Sequence, residues 1–365
     1  MIGRREVLLA GGAVAIAGAG ATWMATRRMG SMADYNAAVA ASRAGLTQMP
    51  QMRDFIRYAT LAANSHNTQP WRFRISDRGL AIEPDAVRQI PVVDPDNHHL
   101  YVSLGCAAEN LAIACAERGK SGQLGFDPAH KGAVTFTFGG GEPARPDLFD
   151  AITKRQSTRG DYDGRTVSAR DVTALEKAAA VPGVDVVILT QRAQMRRVRD
   201  LIVAGNSAQL ADPAFLAELK AWLRFSPRRA MQTGDGLFSA CSGSPVLPEG
   251  LGPNLFDQTF KAKAENEKYA RQIASSAGLV VFVAHKDDRE HWVLAGRACQ
   301  RFALQATALG LKHAFVNQPV EVAHLRPDLA ALVGLPERRP DIVMRFGYGD
   351  ALPYSARRPV DAVLT

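Results

Sequence analysis

Six polar side chains stand together at Asn64-Ser65-His66-Asn67-Thr68-Gln69, ahead of Pro70-Trp71 and between a helical pattern and an aromatic strand. Such a run offers donors and acceptors suited to the edge of a planar heterocycle. Read structurally, it is a helix C-cap and turn whose side chains satisfy backbone groups. A second cluster, Arg155-Gln156-Ser157-Thr158-Arg159, sets two guanidinium groups four residues apart with a hydroxyl between them. Arginine forks pair with phosphate oxygens, so the spacing suits an anion, although most arginine-rich turns are solvated surface. A third group, Arg345 and then Ser355-Ala356-Arg357-Arg358-Pro359, would complete the same phosphate site from the end of the chain. His66 is a candidate proton donor, while His98-His99 reads as an exposed helix start with no role. Cys106, Cys115, Cys241 and Cys299 show neither CxxC nor a neighbouring His pair at zinc spacing, so no metal centre is expected. The sequence does not choose a disulfide pair among them.

The elements that must position these clusters occur twice. Tyr101-Val102 aligns with Trp292-Val293, Gly105 with Gly296, Leu111 with Phe302 and Gly119 with Gly310, all at an offset of 191. Both stretches read as one long helix closed by a glycine. A short alternating strand follows each, 133–138 in one half and 341–346 in the other. A helix and then a strand precede each, from Arg53 through Ile75 and from Val172 through Leu189. Two α+β units are therefore expected in tandem, with a junction near 143–146, as if the subunits of a symmetric dimer were joined. An extra stretch at about 191–276 begins helical and turns irregular and Gly/Pro-rich over 225–253; it reads equally well as a lid or as a surface wrap.

The chain is 365 residues long, 47% hydrophobic and 22% charged, which excludes disorder and coiled coil. Its net charge of +8, from 44 basic and 36 acidic residues, is spread without a basic block, and no nucleic-acid partner is expected. Arg4-Arg5, an uncharged run from Val7 to Ala25 and Arg27-Arg28 have the layout of a twin-arginine export signal over residues 1–28. The expectation is export by the twin-arginine machinery, to the periplasm or held to the membrane by an uncut signal. That pathway carries folded proteins and hints at a cofactor bound beforehand.

The three clusters and the duplicated elements resemble the nitroreductase superfamily of FMN-dependent oxidoreductases, in particular its tandem-fused, Acg-like branch, from about Arg53 to Leu364. The resemblance implies an α+β fold of two fused half-repeats, 35–145 and 146–365, with mixed or antiparallel sheets flanked by helices. The chain would be a monomer acting as a pseudo-dimer, with one FMN between the halves. It implies that Arg155 and Ser157 contact phosphate and ribityl, that Arg159 lies near the pyrimidine edge, and that Arg357, seconded by Arg358, holds phosphate. Asn64, Ser65 and Asn67 would lie against the ring, with Gln69, Pro70 and Trp71 shaping the turn. Pro319-Val320-Glu321 matches a Pro-x-Glu-Gly segment whose backbone N–H reaches flavin N5, with Val322 where the family has Gly. The implied activity moves hydride from NAD(P)H through FMN to a small planar acceptor, a quinone or nitroaromatic. The alternative is a flavin-holding protein whose lid shields FMN from turnover.

Overall fold

In the chain, α1 (Met32–Ser42) starts where Ser31 Oγ accepts from the Asp34 N–H, and α2 (Met52–Thr60) where the Asp54 carboxylate accepts from the Gln51 N–H. The computed structural model describes residues 29–144 and 147–365. The expected export signal, 1–28, and two junction residues, 145 and 146, lie outside the described residues.

A hairpin of β1 (Trp71–Ser76) and β2 (Gly79–Pro84) leads to the long α3 (His98–Ala116), then β3 (Gly122–Asp127) and β4 (Ala133–Phe138). These strands form an antiparallel sheet of order β1-β2-β4-β3. After α4 (Phe149–Ile152), α5 (Ala169–Ala179) and β5 (Val184–Leu189) come α6 (Arg192–Ala211), α7 (Pro213–Trp222), β6 (Leu223–Arg224), α8 (Pro227–Thr233) and β7 (Leu237–Phe238). Next follow α9 (Gly252–Thr259), α10 (Ala262–Ala274), β8 (Gly278–Ala284), α11 (Arg289–Ala308), β9 (Lys312–Phe315), α12 (Gln318–Glu321), α13 (Arg326–Leu332) and β10 (Ile342–Gly347). The second antiparallel sheet has order β5-β8-β10-β9, so both sheets run first, second, fourth, third.

α3 and α11 lie between the sheets in one core that joins Phe55, Trp71 and Phe136 to Phe282, Phe302 and Phe346. Their glycines set how closely they approach. A Cβ on Gly105 would stand 2.0 Å from the Val293 carbonyl oxygen, and one on Gly296 would stand 2.0 Å from that of Val102. The contacts are reciprocal, since 296 − 105 and 293 − 102 both equal 191. At the far end the tail returns to β1, where the Phe73 N–H donates to the Val363 carbonyl at 2.7 Å, and so delivers Arg357 and Arg358 beside residues 60–69.

Three features differ from expectation. The strands β2, β3, β8 and β9 were not among those expected; β8, for one, is apolar throughout because both its faces are buried, and so shows no alternation. The stretch 191–276 is mostly helical, α6 to α10, with the irregular chain confined largely to 243–251. His98 and His99 are buried rather than exposed. His98 Nε2 lies 2.7 Å from Asp341, and His99 Nε2 3.7 Å from Glu321. No helix among the described residues is long and apolar enough to cross a membrane.

Candidate active site

The loop from Asn64 to Gln69 is held in an uncommon shape. His66, Asn67 and Gln69 have φ of 46°, 54° and 53°, left-handed values that L-residues with side chains adopt at a cost of about 1 kcal/mol or more each. Hydrogen bonds supplied from distant segments fix it. Asn64 Oδ1 accepts from the Gln69 N–H at 2.9 Å, Asn67 Nδ2 donates to the Gly236 carbonyl at 3.0 Å, and Gln69 Nε2 donates to that of Gly234 at 2.8 Å. The Arg358 N–H donates to Gln69 Oε1 at 2.9 Å, and Arg88 donates to the Thr68 carbonyl at 2.8 Å. Asn67 and Gln69 therefore face into the protein and brace the loop, while Asn64, Ser65 and His66 face a cavity.

Behind the loop three arginines meet. Arg357 donates to the carbonyls of Thr60 (2.7 Å), Leu61 (3.3 Å) and Ala62 (3.2 Å), and Arg155 also donates to Leu61 (2.7 Å), so both sit on the carbonyl end of α2. Arg43 donates to the carbonyls of Thr153 (2.8 Å) and Arg155 (3.2 Å) and stacks on Tyr354, 4.0 Å from the ring centre. Among the described residues none of the three has an ion-pair partner, and the Nε of Arg43 and of Arg155 are buried without a hydrogen bond. Burial, reinforced by Arg155, lowers the Arg43 pKa to about 9; burial with Arg43 and Arg155 lowers that of Arg357 well below the usual guanidinium range. Three crowded cations without a carboxylate are unfavourable alone and favour an anion among them. His313, on β9 near Arg155, is fully buried with neither ring nitrogen bonded among the described residues.

The cavity, of about 510 Å³, opens beside this cluster. One wall comes from the first half, through Ala63 to His66 and through His99, Val102, Ser103 and Cys106 on α3. Another comes from the second half, through Ala314, Phe315, Gln318, Glu321 and Arg345, and α6, α7, α9 and α10, with Leu223, Phe225, Leu237 and Leu247, close the remainder. Arg159 lines it with a guanidinium that makes no hydrogen bond or ion pair among the described residues. Arg345 donates one nitrogen to the Gly160 carbonyl at 2.7 Å and has Nε and Nη1 unpartnered. Gln318 Oε1 is likewise an unpartnered acceptor. Burial, with Arg159 and His99 repelling, pushes the His66 imidazole down to about 4, so it is neutral at pH 7. Burial raises the Glu321 carboxyl, whose Oε2 accepts from Gln209 Nε2 at 2.6 Å.

The profile of the nitroreductase family matches residues 152–349, more than half of the sequence. The chain belongs to the nitroreductase family. Over its greater length it is 26% identical to Rv3131 of Mycobacterium tuberculosis, a provisionally named NAD(P)H nitroreductase, across 326 residues covering 86% of this chain and 90% of that one. It is 23% identical to Acg of the same organism, another provisionally named NAD(P)H nitroreductase, across 329 residues covering 86% and 94%. Among solved structures, an FMN-bound nitroreductase from Desulfitobacterium hafniense aligns at 13% identity and a TM-score of 0.37, over 60% of this chain and 97% of that one. NfnB of Mycobacterium smegmatis, solved with NADPH, aligns at 14% and 0.37, over 56% and 88%.

For this nitroreductase-family chain, the cavity gathers Asn64, Ser65, His66, Arg159, Glu321 and Arg345 from the candidate ligand residues singled out in the sequence. Arg155, Ser157 and Arg357 stand behind its wall; Ser157 bridges to His313 of β9. Arg358 is corrected from an anion ligand to a brace, because it lies 3.6 Å from Asp85 and its charge is already matched there. Pro319 and Val320 are buried in the turn of α12. The N–H groups of Val320, Glu321 and Val322 all donate within that turn, to Asn317 and Gln318, so the segment meets the cavity through the Gln318 and Glu321 side chains rather than its amides. Val322 sits at φ −86°, where no glycine is needed. Arg43, His99, Gln209, Tyr269, His313 and Gln318 were not anticipated. Their signal is distance in the fold: Arg43 meets residues more than 100 positions away, and no local spacing announces it.

Proposed function

We propose that the protein is an FMN-dependent oxidoreductase moving two electrons from NAD(P)H to a small planar acceptor, a quinone or a nitroaromatic. The observation that carries the reading is the Arg43–Arg155–Arg357 cluster, three cations without a carboxylate beside a cavity lined by both halves. The charge suits a phosphorylated flavin: behind the cavity wall the buried Nε of Arg43 and of Arg155 have no partner among the described residues, with Ser157 bridged to His313, and Arg159 and Arg345 line the cavity itself. When bound, FMN supplies the two-electron chemistry between nicotinamide and acceptor. Arg159, whose guanidinium has no partner among the described residues, would offer positive charge to the bound flavin, and Asn64 and Ser65 would contact it. His66, neutral at pH 7, acts as a hydrogen-bonding group rather than as a cationic acid. Helices α6, α7, α9 and α10 wall the cavity on one side and would limit the access of water to it. The shared strand order and the reciprocal glycine contacts support a fused pseudo-dimer working as a monomer, and residues 1–28 support export to the periplasm or its membrane face.

The test is the visible spectrum of the purified chain, followed by anaerobic NADH or NADPH. A flavin band that bleaches upholds the reading. A band that persists favours the shielded, flavin-holding alternative, to which the helical cover over the cavity gives weight, and no band after FMN is supplied overturns both. Arg159→Ala, which removes a guanidinium without a hydrogen bond or ion pair among the described residues, should raise the FMN dissociation constant roughly tenfold without changing thermal stability. Arg155→Ala should raise it by roughly ten- to a hundredfold and also loosen the end of α2.

A further inference from the structure

The stretch 191–276 does more than wall the cavity. Between α8 and β7 the chain turns at Gly234-Asp235-Gly236, with both glycines left-handed at φ 63° and 75°. A side chain at either would collide: a Cβ on Gly234 would stand 2.8 Å from the Arg357 carbonyl oxygen, and one on Gly236 2.4 Å from that of Trp222. The bare backbone of this turn therefore lies directly against the polar loop and the tail. The Gly234 and Gly236 carbonyls accept from Gln69 and Asn67, and the Gly236 N–H donates to the Asn67 carbonyl at 3.1 Å. Asn67 Oδ1 in turn accepts from Arg357 at 2.8 Å, so one side chain ties the turn to a member of the arginine cluster.

Asp235 holds this turn in place, buried at 7% exposure. Its Oδ1 accepts from Arg224, at the end of β6, at 2.8 Å, and its Oδ2 accepts from Arg88, after β2, at 2.9 Å. The Arg88 nitrogen that meets Asp235 is also the one that donates to the Thr68 carbonyl. Burial opposes ionisation of Asp235, yet the donors on Arg88 and Arg224 hold its carboxyl below the ordinary range, so it is charged at neutral pH. Asp85 extends the alternation of charge, 3.9 Å from Arg88 and 3.6 Å from Arg358, whose backbone N–H donates to Gln69. The loop thus receives bonds at Asn67, Thr68 and Gln69 while Asn64, Ser65 and His66 are left to the cavity. We propose that Asp235 is a positioning residue for the flavin site, holding the 64–69 loop in its left-handed shape and Arg357 in its place from a segment that itself touches neither ring nor phosphate. The inference rests on the flavin reading for what the loop and Arg357 hold, but not for the bracing itself.

The test is FMN titration of the full chain, freed of any flavin it carries, for the wild type, Asp235→Asn, Arg88→Met and Leu175→Ala, with a urea midpoint for each. Asparagine keeps the shape but turns amide N–H groups toward one of the two guanidinium groups, so Asp235→Asn should raise the FMN dissociation constant at least about tenfold. Arg88→Met leaves the Asp235–Arg224 pair standing and should raise it at least about threefold. Leu175→Ala, at a buried position on α5 that does not line the cavity, should lower the midpoint yet leave the dissociation constant within about twofold. At saturating FMN the visible circular dichroism of the flavin should change in the first two variants and not in the third. An unchanged dissociation constant in Asp235→Asn overturns the proposal; should that variant not fold, an unchanged value in Arg88→Met does so. A rise in Leu175→Ala equal to that in Asp235→Asn also overturns it, because affinity would then follow stability alone. Amide hydrogen exchange over 65–69 in the flavin-free chain, expected to quicken in Asp235→Asn and Arg88→Met, reports the bracing without FMN. Quickened exchange in a protein whose wild type binds no FMN upholds the brace and counts against the flavin reading, whereas FMN bound equally by wild type and variants, with exchange unchanged, does the reverse.

Discussion

His313 shows how a single side chain couples the site to stability. It is fully buried on β9, and burial, with Arg155 and Lys312 adding repulsion, lowers its pKa to about 3 from an ordinary value near 6.5. Between those values the unfolded chain binds a proton that the folded chain refuses, so stability falls as pH drops from about 6.5 toward 3. Acidification from pH 7 to pH 5 should cost about 2 kcal/mol through this residue alone. Urea midpoints at the two pH values check it: His313→Asn should lose less stability than the wild type on acidification by about that amount, and an identical pH dependence would contradict the assignment. The His98–Asp341 pair should be nearly silent over the same range. Burial pushes Asp341 up to about 7 and His98 down to about 3, and a raised carboxyl favours the folded state as pH falls while a lowered imidazole opposes it.

At the scale of elements, the crossing of α3 and α11 is the joint on which the cavity depends, since Val102 and Cys106 on α3 line it. Gly105→Ala would place a methyl group 2.0 Å from the Val293 carbonyl oxygen, a backbone atom that can yield only if the helices part. The expected loss is at least about 3 kcal/mol, read as a lower urea midpoint, together with weaker FMN retention; an unchanged midpoint would mean that the helices do not meet at this residue. This joint is legible in the sequence because the glycine recurs at an offset of 191 within two helical patterns, and the expected strands at 71–75, 133–138, 184–189 and 341–346 lie close to the observed ones for the same reason of clear periodicity. β3 and β9 were not legible: the first is largely solvent-facing and contains two glycines, and the second has only four residues. Within the site, residue types pointed to Arg155, Arg159 and the 64–69 loop. The arginine cluster as a whole was hidden, because its members come from α1, the start of the second half and the returning tail.

Over the whole molecule the two halves share a strand order but differ at the positions that would build a mirror-related site. In the first half the connection from α2 to β1 spans 61–70 and carries the polar loop, whereas its counterpart from α5 to β5 is the short Ala180-Val181-Pro182-Gly183. Conversely the connection from β9 to β10 spans 316–341 and carries Gln318 and Glu321, while that from β3 to β4 spans only 128–132. Each half keeps one part of a site and lacks the other, so the parts combine on one side only. The arginine cluster follows the same asymmetry, drawing Arg155 and Arg357 to the α2 end, whereas at the end of α5 Arg301 donates to the Ala178 carbonyl at 2.6 Å and is already paired with Glu109. One FMN per chain is therefore expected, on a species with the mass of a single chain. Flavin absorbance set against protein concentration, with light scattering on the same peak, measures both. Two flavins per chain would require a second phosphate site, and a dimer carrying one flavin in total would mean that a neighbouring copy completes what the two halves do not.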